Sequence, residues 1–346
     1  MRILMKRIRN RKIPHALLFT GIDGIGRYQS AVRLAMILNC SERTTIRIDS
    51  FDQASFDDKD DTSHFPACET CPSCKKIISG SHPDILHIKP AGSAIKIDQI
   101  RSLRDTLSLK PYEARRRVAI LEKAQKMTIP AFNALLKVLE EPPERTTMIL
   151  IANKSSDLLP TIVSRCQQIR FAPVPDDQIT RSLADRQGVG IKRAHIAAAM
   201  AGGSFDVAKK MTSNQWLRQR DWMLSEMTLL SQGKPKDKKG SLRRTMALAE
   251  KLANDQRTLD NVLVVIKSWL RDLAIWPFMP QDIINRDMAA QIGKLASAIG
   301  AEIFFTGFTA MENIEKQIRA NANPRLALET YLIKLTHNMS TPGGSG

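Results

Sequence analysis

HALLFTGIDGIGRY, from His15 to Tyr28, runs a short apolar stretch straight into a glycine-rich turn and then into a helical pattern. Strand, glycine turn and helix form the context in which backbone N–H groups wrap a phosphate at a helix N-terminus. The spacing G-x-x-x-x-G-K-[ST] is met at Gly21 and Gly26, with Gly24 between them. Arg27 stands where the lysine belongs, and Tyr28 where a small hydroxyl residue belongs. An arginine is a planar fork rather than a compact ammonium, and a tyrosine cannot set a small hydroxyl on magnesium. A later apolar run, VAIL (Val118 to Leu121), is the expected source of an acidic pair, but it ends in Glu122-Lys123. The carboxylate that would orient water is a cation here. The glycine frame of a nucleotide loop is present without its reactive groups, so hydrolysis of ATP by this chain is not expected.

Outward from this loop the first half alternates strand-like and helix-like segments. DILHI (Asp84 to Ile88), VAIL, MILIA (Met148 to Ala152) and QIRF (Gln168 to Phe171) read as further strands. Helical patterns fall at Tyr28 to Asn39, Ile97 to Leu107, Thr128 to Glu140 and Leu158 to Val163. Such alternation predicts an α/β fold, a parallel sheet with helices on both faces. The segment from Thr128 is the best defined: Phe132, Leu135, Leu136 and Leu139 form one stripe, Thr128 can cap it, Pro130 suits its first turn and Pro142-Pro143 stops it. After Pro173 only helical patterns follow: Asp177 to Gln187, Lys192 to Met200, the turn AGGS, then helices beyond Asn214 with a basic loop GKPKDKKGS. The tail STPGGSG holds nothing that could build a core, and disorder is expected there.

Composition narrows the function classes. Fifty-two Lys and Arg against thirty-five Asp and Glu leave +17 on 346 residues, which points to phosphate-rich partners. Aromatics at 5% disfavour a protein that stacks many bases on exposed rings. No run of eighteen apolar residues occurs, which excludes a membrane helix, and a cytoplasmic location is expected. Three cysteines, Cys68, Cys71 and Cys74, stand at C-x-x-C-x-x-C, a spacing that turns thiolates inward on one tetrahedral ion. We expect structural zinc, with Cys40 as the fourth ligand and His64 as the alternative. The acidic stretch from Asp49 to Asp61 argues against this knuckle gripping DNA itself, because like charge repels phosphate.

Taken together these motifs resemble the delta-prime family of bacterial DNA polymerase III clamp-loader subunits. PHALLFTGIDGIGR is similar to that family's opening strand and loop, the cysteines to its zinc knuckle, FNALLKVLEEPPE (Phe132 to Glu144) to its signature helix, and TIVSRC (Thr161 to Cys166) to its SRC motif. The resemblance implies an AAA+ module at 1–172 with the knuckle inserted at about 40–74. It further implies a small helical lid at 173–213, a helical collar at 214–339 and a disordered tail at 340–346. It implies membership of a five-subunit ring with delta and gamma/tau subunits, reaching the sliding clamp and primed DNA through that ring, with no membrane partner and association with the nucleoid during replication. Arg165 then takes the place of the arginine that reaches a neighbour's ATP, and Asn153 that of a γ-phosphate sensor. GGSFDVA (Gly202 to Ala208) resembles a second sensor segment in which Asp206 replaces arginine. The implied role is a non-hydrolysing loader subunit. The alternative is an ATP-hydrolysing gamma/tau-type subunit. Arg115-Arg116-Arg117 and the stretch from Lys234 to Arg244 are open between contact with DNA phosphates and plain solvation.

Overall fold

The computed structural model describes residues 13–42, 67–231, 238–253 and 256–340. His64, the acidic stretch, Lys234 to Asp237 and the last six residues lie outside the described residues. The chain divides into two compact units, Met1–Pro173 and Val174–Gly346, each considered by itself below.

In the first unit, five parallel strands make one sheet: β1 (Ala16–Thr20), β2 (Ile85–Ile88), β3 (Arg117–Leu121), β4 (Thr146–Ala152) and β5 (Gln167–Arg170), in the order β2-β3-β4-β1-β5. Among the described residues the helices of this unit are α1 (Arg27–Asn39), α2 (Pro72–Ser79), α3 (Ile97–Ser108), α4 (Ile129–Glu140) and α5 (Pro160–Val163). The central strands β3, β4 and β1 are buried along their whole length because both faces are covered, and their middles are apolar. With a side-chain period of two, Leu18, Ala119, Leu121, Met148 and Leu150 pack under α3 and α4. Their neighbours Leu17, Phe19, Val118, Ile120, Ile149 and Ile151 pack under α1. The α/β expectation is met. Each strand lies within two residues of its expected bounds, and α2, unexpected from the sequence, is founded on the cysteine segment.

The edge of this sheet is pinned by one buried ion pair. Asp84, fully buried, accepts hydrogen bonds from the amides of Tyr112 (2.9 Å), Glu113 (2.8 Å) and Ala114 (2.9 Å), and from the Arg117 guanidinium at 2.8 and 3.1 Å. Arg117 also donates to the carbonyls of Thr106, Leu109 and Lys110. Arg116 donates to Thr146 O and Thr147 Oγ1. Of the three consecutive arginines left open between DNA contact and solvation, only Arg115 is exposed. The other two hold loop to strand.

The second unit is helical: α6 (Asp176–Gln187), α7 (Ile191–Met200), α8 (Phe205–Met211), α9 (Asn214–Ser231), α10 (Lys238–Ala253), α11 (Gln256–Ile275), α12 (Ala289–Ala298), α13 (Ala301–Arg319) and α14 (Pro324–Ser340). Its apolar cluster runs from Ile179 to Met339, with Trp269 set edge-on to Phe304. Helix α10 begins at Lys238, inside the expected basic loop, and α14 reaches Ser340, the first residue of the expected disordered tail. Arg220, 2% exposed, bonds Asp221, Asn285 and Asp287, tying the connection before α12 to α9.

Candidate functional site

Gly21, Gly24 and Gly26 all take positive φ, at 147°, 78° and 86°, and bend the chain from β1 into α1. A Cβ on Gly21 would lie 2.7 Å from the backbone oxygen of Phe171, so only glycine lets β1 and β5 close up there. What fills the loop is the chain's own Arg27. Its side chain is 6% exposed and donates to the Ala152 carbonyl at the end of β4, to Asn153 Oδ1 at 3.0 Å and to Asp23. Burial lowers the Arg27 pKa while Asp23 opposes the shift. The Gly21 amide donates to Asn153 O at 3.0 Å, so both oxygens of the expected sensor residue accept hydrogen bonds from within the loop.

Tyr28 stacks on His87 of β2, with ring centroids 4.9 Å apart. His87 Nε2 lies 3.2 Å from Glu122 Oε1. Burial and then the Glu122 charge raise the Tyr28 pKa, which keeps it a neutral phenol. Glu122, the acidic residue left at the end of β3, is therefore met by an imidazole. Lys123 beside it takes a left-handed backbone with φ 51°. Sequence reading missed His87, whose only signal was a lone polar side chain between the apolar residues Leu86 and Ile88. Asp206 sits in the first turn of α8, behind Ser204, which caps that helix through Val207 N.

The four expected cysteines converge. Their Sγ atoms all lie within 4.8 Å of one another. Cys40 ends α1, Cys71 caps the start of α2 and Cys74 lies in its first turn. Zinc–thiolate bonds of about 2.3 Å would set tetrahedral sulfurs roughly 3.8 Å apart, and Cys40 and Cys68 already stand at 3.5 Å. Amides of Cys68, Cys71 and Cys74 point at the sulfurs of Cys40, Cys68 and Cys71. Burial pushes the Cys71 thiol up, but hydrogen bonds from Ser41 and Cys74 outweigh it and bring it to about 5. A soft, amide-lined set of four thiols, three of them buried and Cys68 half-buried, fits a divalent ion such as zinc. Cys166 stands apart in the apolar cluster beneath α4, where burial pushes its thiol up to about 12.

Arg165 follows α5 and leads into β5. Its Nη1 donates to Thr161 O at 3.0 Å and its Nη2 to Glu140 Oε1 at 2.7 Å, with the two side chains 36% and 49% exposed. β5 runs parallel to β1, with Leu17 opposite Gln167 and Thr20 opposite Arg170. Arg165 therefore lies at the end of the sheet where these strands begin, and the phosphate loop at the end where they finish. About 15 Å of strand, at 3.3 Å per residue, separates them. The structure does not bring Arg165 to this chain's own loop.

A family model described as DNA polymerase III, delta subunit, matches residues 1–175, and a second, for the C-terminal part of the delta subunit, matches 237–337. DNA polymerase III subunit delta' of Bacillus subtilis is 26% identical over 97% of this chain and 94% of its own length. The delta' subunit of Pseudomonas aeruginosa is 32% identical over 57% of this chain and 55% of its own. Subunit tau of B. subtilis is 31% identical over 59% of this chain, which spans only 34% of that longer relative. A solved DNA polymerase III gamma-subunit-related protein from Thermotoga maritima covers 97% of this chain and 98% of its own at 17% identity and a TM-score of 0.40. Through a match that takes in the strand, the glycine loop, the cysteines, the signature helix and SRC together, the chain belongs to the DNA polymerase III delta-prime clamp-loader family.

Proposed function

We propose that this chain is a non-hydrolysing subunit of the clamp loader and that Arg165 serves the ATP of a neighbouring subunit. The observation that carries this is the placement of Arg165 at the sheet end remote from its own loop, exposed and held by a surface ion pair and one carbonyl. A planar cation brought to a γ-phosphate neutralises the charge that develops in phosphoryl transfer, an effect of about 10³–10⁵ in related systems. The filled loop supports the other half of the reading. Arg27 occupies with its guanidinium the space between glycine turn and Asn153, while His87 and Tyr28 crowd the residual acidic residue. On this reading the partners are delta and gamma/tau subunits, and the clamp and primed DNA are met through the assembled ring in the cytoplasm. Residues 173–213 act as lid and 214–339 as collar. Zinc held by Cys40, Cys68, Cys71 and Cys74 supplies structure and no chemistry.

The alternative gamma/tau-type ATPase is separated by one experiment. The purified chain should show no magnesium-dependent ATP turnover above background. Arg27→Lys with Tyr28→Thr should not rescue it, because Lys123 and Asp206 remain. Turnover by the unmodified chain would assign it to the ATPase class. In a reconstituted loader, Arg165→Ala should leave assembly intact and lower DNA- and clamp-stimulated ATPase. The loss should be partial, because other sites in the ring keep their own arginines. A mutant loader that turns over ATP and loads clamps at the unmodified rate would reduce Arg165 to a structural residue.

A further inference from the structure

We propose that Glu140 is a positioning residue for Arg165, setting its guanidinium for the neighbour's nucleotide. The inference rests on the trans-acting reading of Arg165. Glu140 is the last residue of α4, where the negative end of the helix dipole disfavours a carboxylate. Its ion pair with Arg165 is exposed on both sides, a setting in which such pairs add little stability. Neither the helix nor the fold gains from an acid at this position. Arg165 does gain, because two acceptors bind two different nitrogens, Glu140 Oε1 on Nη2 at 2.7 Å and Thr161 O on Nη1 at 3.0 Å. Two such contacts set the guanidinium plane and leave three of its five N–H groups for an incoming phosphate. The acceptors ride on packed supports, since Leu139 beside Glu140 and Ile162 beside Thr161 are buried in the same apolar cluster. A long side chain that would otherwise sample many rotamers is thereby pre-set, which lowers the barrier by orientation and not by binding.

The test uses the reconstituted loader carrying Glu140→Ala, Glu140→Gln, Arg165→Ala or the Glu140→Ala/Arg165→Ala pair. Stimulated ATPase is read as kcat and KM for ATP, alongside the melting temperature of each free subunit. Glu140→Ala should lower kcat by part of the Arg165→Ala loss, with KM for ATP and melting unchanged. The double variant should be no slower than Arg165→Ala alone. Glu140→Gln, which keeps an oxygen acceptor, should recover at least half of the lost rate. A normal or raised kcat for Glu140→Ala beside a slow Arg165→Ala would overturn the positioning role and leave the finger intact. An equal loss on the Arg165→Ala background would overturn it too. Unchanged turnover in Arg165→Ala would overturn both readings.

Discussion

Asp84 shows how one residue can join distant segments. Burial pushes its carboxyl up, but the amides of Glu113, Tyr112 and Ala114 and the Arg117 guanidinium outweigh that and hold it down to about 2. Its unfolded value lies near 3.9. The folded pKa is the lower one, so the stability it contributes is complete above about pH 4 and is lost as pH falls from there through about 2. Asp84→Asn leaves Arg117 buried beside an uncharged partner, and breaking such a pair costs about 3–5 kcal/mol. Urea unfolding at pH 7 should show that loss, and the variant should lose less additional stability than the unmodified chain between pH 5 and pH 2.5. Arg27 illustrates the same logic within the loop, where a buried cation is admitted because a carboxylate, a carbonyl and an amide oxygen receive it.

Elements are set by their ends. Helix α4 starts where Thr128 Oγ1 accepts from Ala131 N at 3.4 Å and Pro130 occupies the first turn. Thr128→Ala should cost about 1 kcal/mol, the usual value of a lost N-cap, read from the denaturation midpoint. The glycine turn ahead of α1 gives a graded pair. A Cβ at Gly26 meets nothing within 4 Å, so Gly26→Ala bears only its left-handed backbone at φ 86°, about 1–2 kcal/mol. Gly21→Ala adds a collision with the Phe171 backbone oxygen, which cannot turn aside as a side-chain tip can. It should be the more destabilising of the two in the same denaturation assay, and equal losses would mean that β5 moves away without strain.

At the scale of the molecule, the cysteine cluster belongs wholly to the first unit, joining the end of α1 to the start of α2. With zinc bound, removal by a chelator should lower the melting transition of the α/β unit and leave that of the helical unit in place. Cys71→Ser should do the same and reduce the metal content of purified protein. Metal analysis that finds no zinc, or a content unaffected by Cys71→Ser, would refute the site. The two units are suited to this separation because each has its own core, the sheet between two apolar layers in one and the Ile179–Met339 cluster in the other.

The strand-and-helix alternation, the glycine frame with its two replaced positions and the cysteine spacing were legible from residue order alone. These features repeat over a few residues, and local geometry gives them a direct reading: a short apolar run for a buried strand, one turn for a cap, three residues for a knuckle. What the tertiary structure alone decided were pairings between residues far apart in the chain. Arg27 reaches Asn153, His87 meets Glu122, Arg117 turns inward to Asp84 while Arg115 stays in solvent, and Arg165 meets Glu140 at the sheet end away from its own loop. A parallel sheet is what made those outcomes invisible beforehand. Its strand order follows from packing of both faces rather than from sequence order, and that order determines which loops share an end and which side chains meet there.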